Sequence, residues 1–146
     1  MTETKLPAKE LQKNVPYGFR IHDVCYYPAV KKEYLPPLLN HGYRYLFLDM
    51  GSVAEADTAE FLRCDKKLII GSLEPWKVDN YRKFLQSMQH IINPGEGFYY
   101  LTRTESPKRM QEFSKAYHIK MRSIPYLSNP FCIEKEYFST LEELLK

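Results

Sequence analysis

The chain has 146 residues, enough for one ordinary domain, and at 44% hydrophobic it can bury a core without disulfide or metal staples. Twelve tyrosines and eight phenylalanines argue against disorder. The formal charge of +3 is spread over separate pairs such as Lys31-Lys32, Lys66-Lys67 and Lys108-Arg109, so direct contact with nucleic acid is not expected.

Residues 1–17 are polar and contain Pro7 and Pro16, and are expected to form an N-terminal arm ahead of a single domain over 18–146. The charged start, MTETKLPAKELQKN, lacks the apolar core of a signal peptide, and no run approaches the ~18 apolar residues of a membrane helix. A cytoplasmic protein with no membrane partner is the expectation. FRIHDVCYY (19–27) is rich in β-formers and predicts a strand, stopped by Pro28. In KKEYLPPLLNHGY, the spacing of Leu35, Leu38 and Leu39 predicts a helix with Pro36-Pro37 in its first turn and Gly42 near its end.

YLFLD (45–49) is a short, continuous apolar run, the pattern of a strand buried on both faces. The stretch 52–65 is helix-like, with Ser52 as a cap, and KLIIGS (67–72) predicts a second buried strand. Residues 74–91 predict a long amphipathic helix, with Pro75 in its first turn and Val78, Tyr81, Leu85 and Met88 on one face. NPGEG is a turn, FYYLT (98–102) a third strand, 106–118 a helix opening on Ser-Pro, and 119–126 a fourth strand ending at Pro125. A final helix closes the chain. This alternation predicts an α/β fold: a mainly parallel sheet with helices on both faces.

Ligands of such sheets bind at the carboxyl ends of the strands. Those ends carry Asp49-Met50-Gly51-Ser52, Gly71-Ser72, Thr102-Arg103-Thr104 and Pro125-Tyr126. A carboxylate such as Asp49 at a strand end either holds a hydrated magnesium or caps the following turn. Gly51 and Gly71 let backbone approach an anion, and Ser52 and Ser72 add donors beside them, so a small anionic ligand held at these amides is one reading. The six glycines never form G-x-x-x-x-G-K-[ST], so the phosphate loop is missing. There is also no G-x-S-x-G elbow and no H-E-x-x-H, and the four histidines, His22, His41, His90 and His118, are scattered. The three cysteines, Cys25, Cys64 and Cys132, have no C-x-x-C spacing and read as reduced thiols, Cys25 and Cys132 in the core. An ion pair between Arg63 and Asp65 is one reading of EFLRCD. Trp76, the single tryptophan, reads as a core anchor in preference to a ligand stack.

The order of pieces resembles the back half of the ParA/MinD group of deviant-Walker P-loop ATPases. YRYLFLDMGS is similar to that family's Walker B segment, CDKKLIIGSLEPWKVDNYRKFL to its next strand and helix, FYYLTRT to its strand ending in Asn-Arg, and IKMRSIPYLSNPF to its I-P segment. The tokens D-x-G-S, E-F-L-R-C-D and S-L-x-x-W-K resemble most closely small ParA-like proteins of Gram-positive bacteria. The likeness spans about residues 19–140.

The resemblance implies a P-loop-NTPase-like three-layer sandwich missing its first, central strand. It implies Asp49 as the magnesium-associated acid and Arg103, Thr104, Pro125 and Tyr126 around an adenine. This chain departs from the family at Thr102, where the family has Asn, and in lacking the Walker A loop and first helix. Losing a central strand leaves rows of backbone groups to satisfy, each costing roughly 1–3 kcal/mol if buried unpaired. The expected function is therefore a non-catalytic or partial nucleotide-binding domain, inactive alone. ATP and magnesium enter only if a P-loop-bearing partner chain completes the site. Family members work in DNA segregation or positioning, usually as dimers, so a homo-oligomer is a further expectation.

Overall fold

In the computed structural model of the chain, the described residues are 4–5, 17–89, 97–103, 106–127, 129 and 134–145. They group into two compact units, Met1–Asp49 and Met50–Lys146.

The first unit holds an antiparallel three-stranded sheet of β1 (Thr4–Lys5), β2 (Phe19–Ile21) and β3 (Val24–Tyr26), in that order. The single strand expected over 19–27 is thus a hairpin. It turns at His22-Asp23, with His22 at φ 52° and the Arg20 guanidinium bonded 2.9 Å from the Asp23 carboxylate. Phe19 and Tyr26 face each other across the ladder and stack, ring centroids 5.4 Å apart. A short helix, α1 (Leu35–Leu39), carries its prolines in the first turn as expected and buries Leu38.

The strand expected over 45–49 does not form. Residues 45–50 belong to no ladder, and Phe47 is 70% exposed. An apolar run becomes a strand only when a neighbour takes up its backbone groups, and among the described residues none does.

The second unit is built on a parallel three-stranded sheet of β4 (Lys67–Gly71), β5 (Phe98–Thr102) and β6 (Met121–Ser123), ordered β4-β5-β6. The mainly parallel sheet of the sequence reading is therefore small. Helix α2 (Thr58–Arg63) precedes it, α3 (Val78–Met88) and α4 (Pro107–Tyr117) link its strands, and α5 (Phe138–Leu145) follows. The Asp57 carboxylate caps α2 by accepting from the amides of Ala59 and Glu60. The helix thus starts six residues after Ser52, which opens a tight turn in place of the expected cap.

Sequential strand order with right-handed crossovers puts α3 and α4 on one face. There Ile69, Tyr81, Phe84, Leu85, Tyr100, Phe113 and Met121 form the core, joined by Leu73 from the loop after β4. Tyr81 is pinned at its tip, its hydroxyl donating toward the carbonyls of Ile69 and Leu101. The Gly71 backbone lies against that ring: a Cβ there would meet it at 2.4 Å. Alternation places Leu68, Ile70 and Arg122 on the other face. Helix α5 is tied in on that side by the Arg122–Glu143 ion pair and by Lys66 Nζ donating to the Leu144 carbonyl at 3.1 Å.

The first rung of β4 and β5 is a backbone contact. The Lys67 amide donates to the Gly97 carbonyl at 2.6 Å. Gly97 sits at φ 80°, and a Cβ on it would lie 2.4 Å from the Asp65 carbonyl oxygen, so only glycine fits.

Candidate functional site at the carboxyl ends of the parallel strands

The pairing aligns Gly71, Thr102 and Ser123 in one row across the sheet. Every strand therefore ends at the same level, and the residues that follow share one rim.

Arg103 and Tyr126 meet on this rim. The Arg103 guanidinium carbon stands 4.2 Å from the centre of the Tyr126 ring, an Arg-on-aromatic stack. Tyr126 is exposed and Pro125 half-buried. The two residues grouped from the sequence are thus brought together, and they present flat, polarisable surface to solvent. Thr104 lies outside the described residues.

At the end of β4, Gly71 and Ser72 border a cleft of about 210 Å3. Val53, Ile69, Ile70, Tyr81 and Phe84 make it largely apolar, with Ser72, Lys77 and Asn80 as its polar members. The Ser72 hydroxyl accepts from the Glu74 amide at 3.2 Å, forming a local turn, and Glu74 pairs with Arg109 of α4 at 3.2 Å. The sequence pattern did not single out Asn80, and Lys77 entered only as the last residue of the S-L-x-x-W-K token. They flank the start of α3, and only the folded turn brings them beside β4.

Gly51 and Ser52 are arranged differently from the expected anion cradle. Gly51 takes φ 67°, and the amide and hydroxyl of Ser52 both donate to Glu55 Oε2, at 3.2 and 2.8 Å. These bonds, the hydroxyl's first, hold the Glu55 carboxyl below its ordinary pKa. The chain's own carboxylate therefore occupies the donors that would have faced an external anion. The spacing Ser52-x-x-Glu55 is that of a capping box and was the available signal for this arrangement.

Asp49 is exposed and closes the first unit, whereas the other candidate positions belong to the second. No group of three or more His, Cys, Asp or Glu side chains among the described residues is placed to hold a metal ion. Magnesium often uses only one or two carboxylates and takes its remaining ligands from water and phosphate. Asp49 fits such a role only where a phosphate is supplied.

Two side-chain expectations are corrected. Arg63 pairs with Glu60 one turn back, at 3.3 Å, and not with Asp65. Trp76 is 76% exposed: it sits in the turn before α3, where Leu73 fills the core position instead. Among the described residues no helix is long and apolar enough to cross a membrane. Comparison with protein-family models, with curated proteins and with solved structures finds no match for this chain.

Proposed function

We propose that this chain is a partial nucleotide-binding domain of the ParA/MinD kind, without turnover of its own for want of a phosphate-cradling loop. The supporting observation is the Arg103–Tyr126 stack, on the rim where ligands of parallel sheets bind. A guanidinium laid on a phenol ring offers a platform for a purine, whose π-face stacks on such groups irrespective of base identity.

The platform grips one end of a nucleotide only. The triphosphate needs convergent backbone amides and a lysine, and the sequence holds no such loop. Hydrolysis then requires a partner carrying G-x-x-x-x-G-K-[ST], with Asp49 as the magnesium-associated acid. A small-anion site at Gly51-Ser52 is disfavoured, since Glu55 already takes both Ser52 donors.

Isothermal titration of ATP with magnesium tests this reading. The chain alone is expected to give no saturable heat and no hydrolysis. With a P-loop-bearing partner added, binding should appear and should weaken about tenfold in Arg103→Ala or Tyr126→Ala, as loss of one stacking contact implies. Hydrolysis in that mixture should vanish in Asp49→Ala. Turnover by the isolated chain, lost on Asp49→Ala, would overturn the proposal.

A further inference from the structure

Tyrosine is abundant in this chain, and two of its tyrosines touch tip to tip. The hydroxyls of Tyr27 and Tyr43 lie 2.6 Å apart, with ring centroids at 6.4 Å and ring planes tilted by 60°. Both residues belong to the first unit and both are half-buried.

Each ring is held in place by its own neighbours. Tyr27 directly follows β3, and its ring lies against the Gly18 backbone, where a Cβ would meet a ring carbon at 2.6 Å. Tyr43 packs on the His41 ring, centroids 5.0 Å apart. The Cys25 thiol, from within β3, also bonds the Tyr43 hydroxyl. Burial first, then the bonds to Tyr27 and Cys25, push the Tyr43 phenol above its ordinary pKa, so it keeps its proton at neutral pH.

Proximity decides what such a pair does under one-electron oxidation. Joining two phenoxyl radicals is a bimolecular event for separated tyrosines. For a pair held in contact it is unimolecular, and held geometry of this kind raises effective concentration by orders of magnitude. Tyrosines of the second unit are arranged otherwise. Tyr81 commits its hydroxyl to the carbonyls of Ile69 and Leu101, and Tyr99 and Tyr100 point to opposite faces of β5.

We propose that Tyr27 and Tyr43 form an oxidative cross-linking site, joined as dityrosine by a one-electron oxidant of the kind a haem peroxidase makes from hydrogen peroxide. Each phenol gives up one electron and its hydroxyl proton. The two radicals join through the ring carbons beside the oxygens, and the hydrogens on those carbons then move to the oxygens. One C–C bond replaces two C–H bonds, and the two electrons and two protons released turn one hydrogen peroxide into two waters. The link closes a loop between residues 16 positions apart, around α1. Leu38 is the one buried apolar side chain among the described residues of this unit, so a covalent closure that restricts the unfolded chain supports a unit with little core. The nucleotide reading is not involved, because neither Asp49 nor the Arg103–Tyr126 stack takes part.

The test treats the whole chain, dilute, with a haem peroxidase and an equimolar amount of hydrogen peroxide. Dityrosine fluorescence in the monomer fraction gives the yield, and mass spectrometry of the digest gives the position. The expected product joins the peptides of Tyr27 and Tyr43, two hydrogens lighter than their sum, at about tenfold the yield of any other tyrosine pair. Tyr27→Phe and Tyr43→Phe, each with unchanged circular dichroism, should both abolish it. In urea the unaltered chain should lose the preference, which separates folded geometry from intrinsic reactivity. Links spread evenly over other tyrosines, dityrosine confined to covalent dimers, or a preference that survives in urea would each overturn the proposal. Titration of ATP is a separate readout, so failure of either proposal leaves the other standing.

Discussion

Thr102 is wholly enclosed, yet among the described residues its Oγ1 meets no hydrogen-bond partner. A buried hydroxyl without a partner carries a desolvation cost that nothing returns. Thr102→Val keeps the shape and the β-branching and removes the polar atom. Stability to urea should rise by about 1 kcal/mol, read from the denaturation midpoint at unchanged slope. Glu55 is the opposite case, an exposed group held by two donors. Its pKa in the fold is lowered, so its contribution is present above the ordinary carboxylate range and is lost as pH falls through the lowered value. The Ser52 amide shift, followed by NMR during acidification, should titrate with that lowered midpoint. In Ser52→Ala the Glu55 midpoint should move back toward the ordinary range. Cys64 shifts the other way, burial first among the causes raising its thiol pKa, and so has little thiolate at neutral pH.

At the scale of elements, the tightest fit is that between β4 and α3. Gly71 gives the Tyr81 ring its place, and that ring's hydroxyl reaches two strands. Gly71→Ala should cost about 1–3 kcal/mol by overpacking, seen as a lowered Tm, while Gly42→Ala meets no neighbouring atom and should destabilise through backbone strain at φ 81° alone. How much was legible in the sequence divides along similar lines. The helices α3 and α4 were readable because their apolar spacing and the Ser106-Pro107 start are local signals. β4, β5 and β6 were readable because each has a partner in the fold. Residues 45–49 were misread because their composition is that of a strand while strand formation depends on a neighbour, which composition does not record. The hairpin within 19–27 was missed since His22-Asp23 lacks a glycine or asparagine to mark the turn. Among the site residues, Arg103 and Tyr126 were placed at strand ends by the alternating pattern, and the resemblance grouped them about one ligand. The cleft and the role of Glu55 emerged from folded geometry.

For the whole molecule, the division after Asp49 separates the candidate acid from the rim residues by unit, though not by sequence distance from Gly51. On the proposed reading, the purified chain is expected to stay silent toward ATP until a P-loop-bearing partner is added, as titration would show.

Gly97 adds a constraint of a different kind. Where β5 begins, main chain touches main chain, with no side chain between the Asp65 carbonyl and the glycine α-carbon. Shifting β5 by one position in either direction would bring a bulkier neighbour into a space that admits only hydrogen. The alignment of β4 and β5 is thus keyed at a point where backbone meets backbone, apart from the packing that Phe98 and Tyr100 supply farther along the strand.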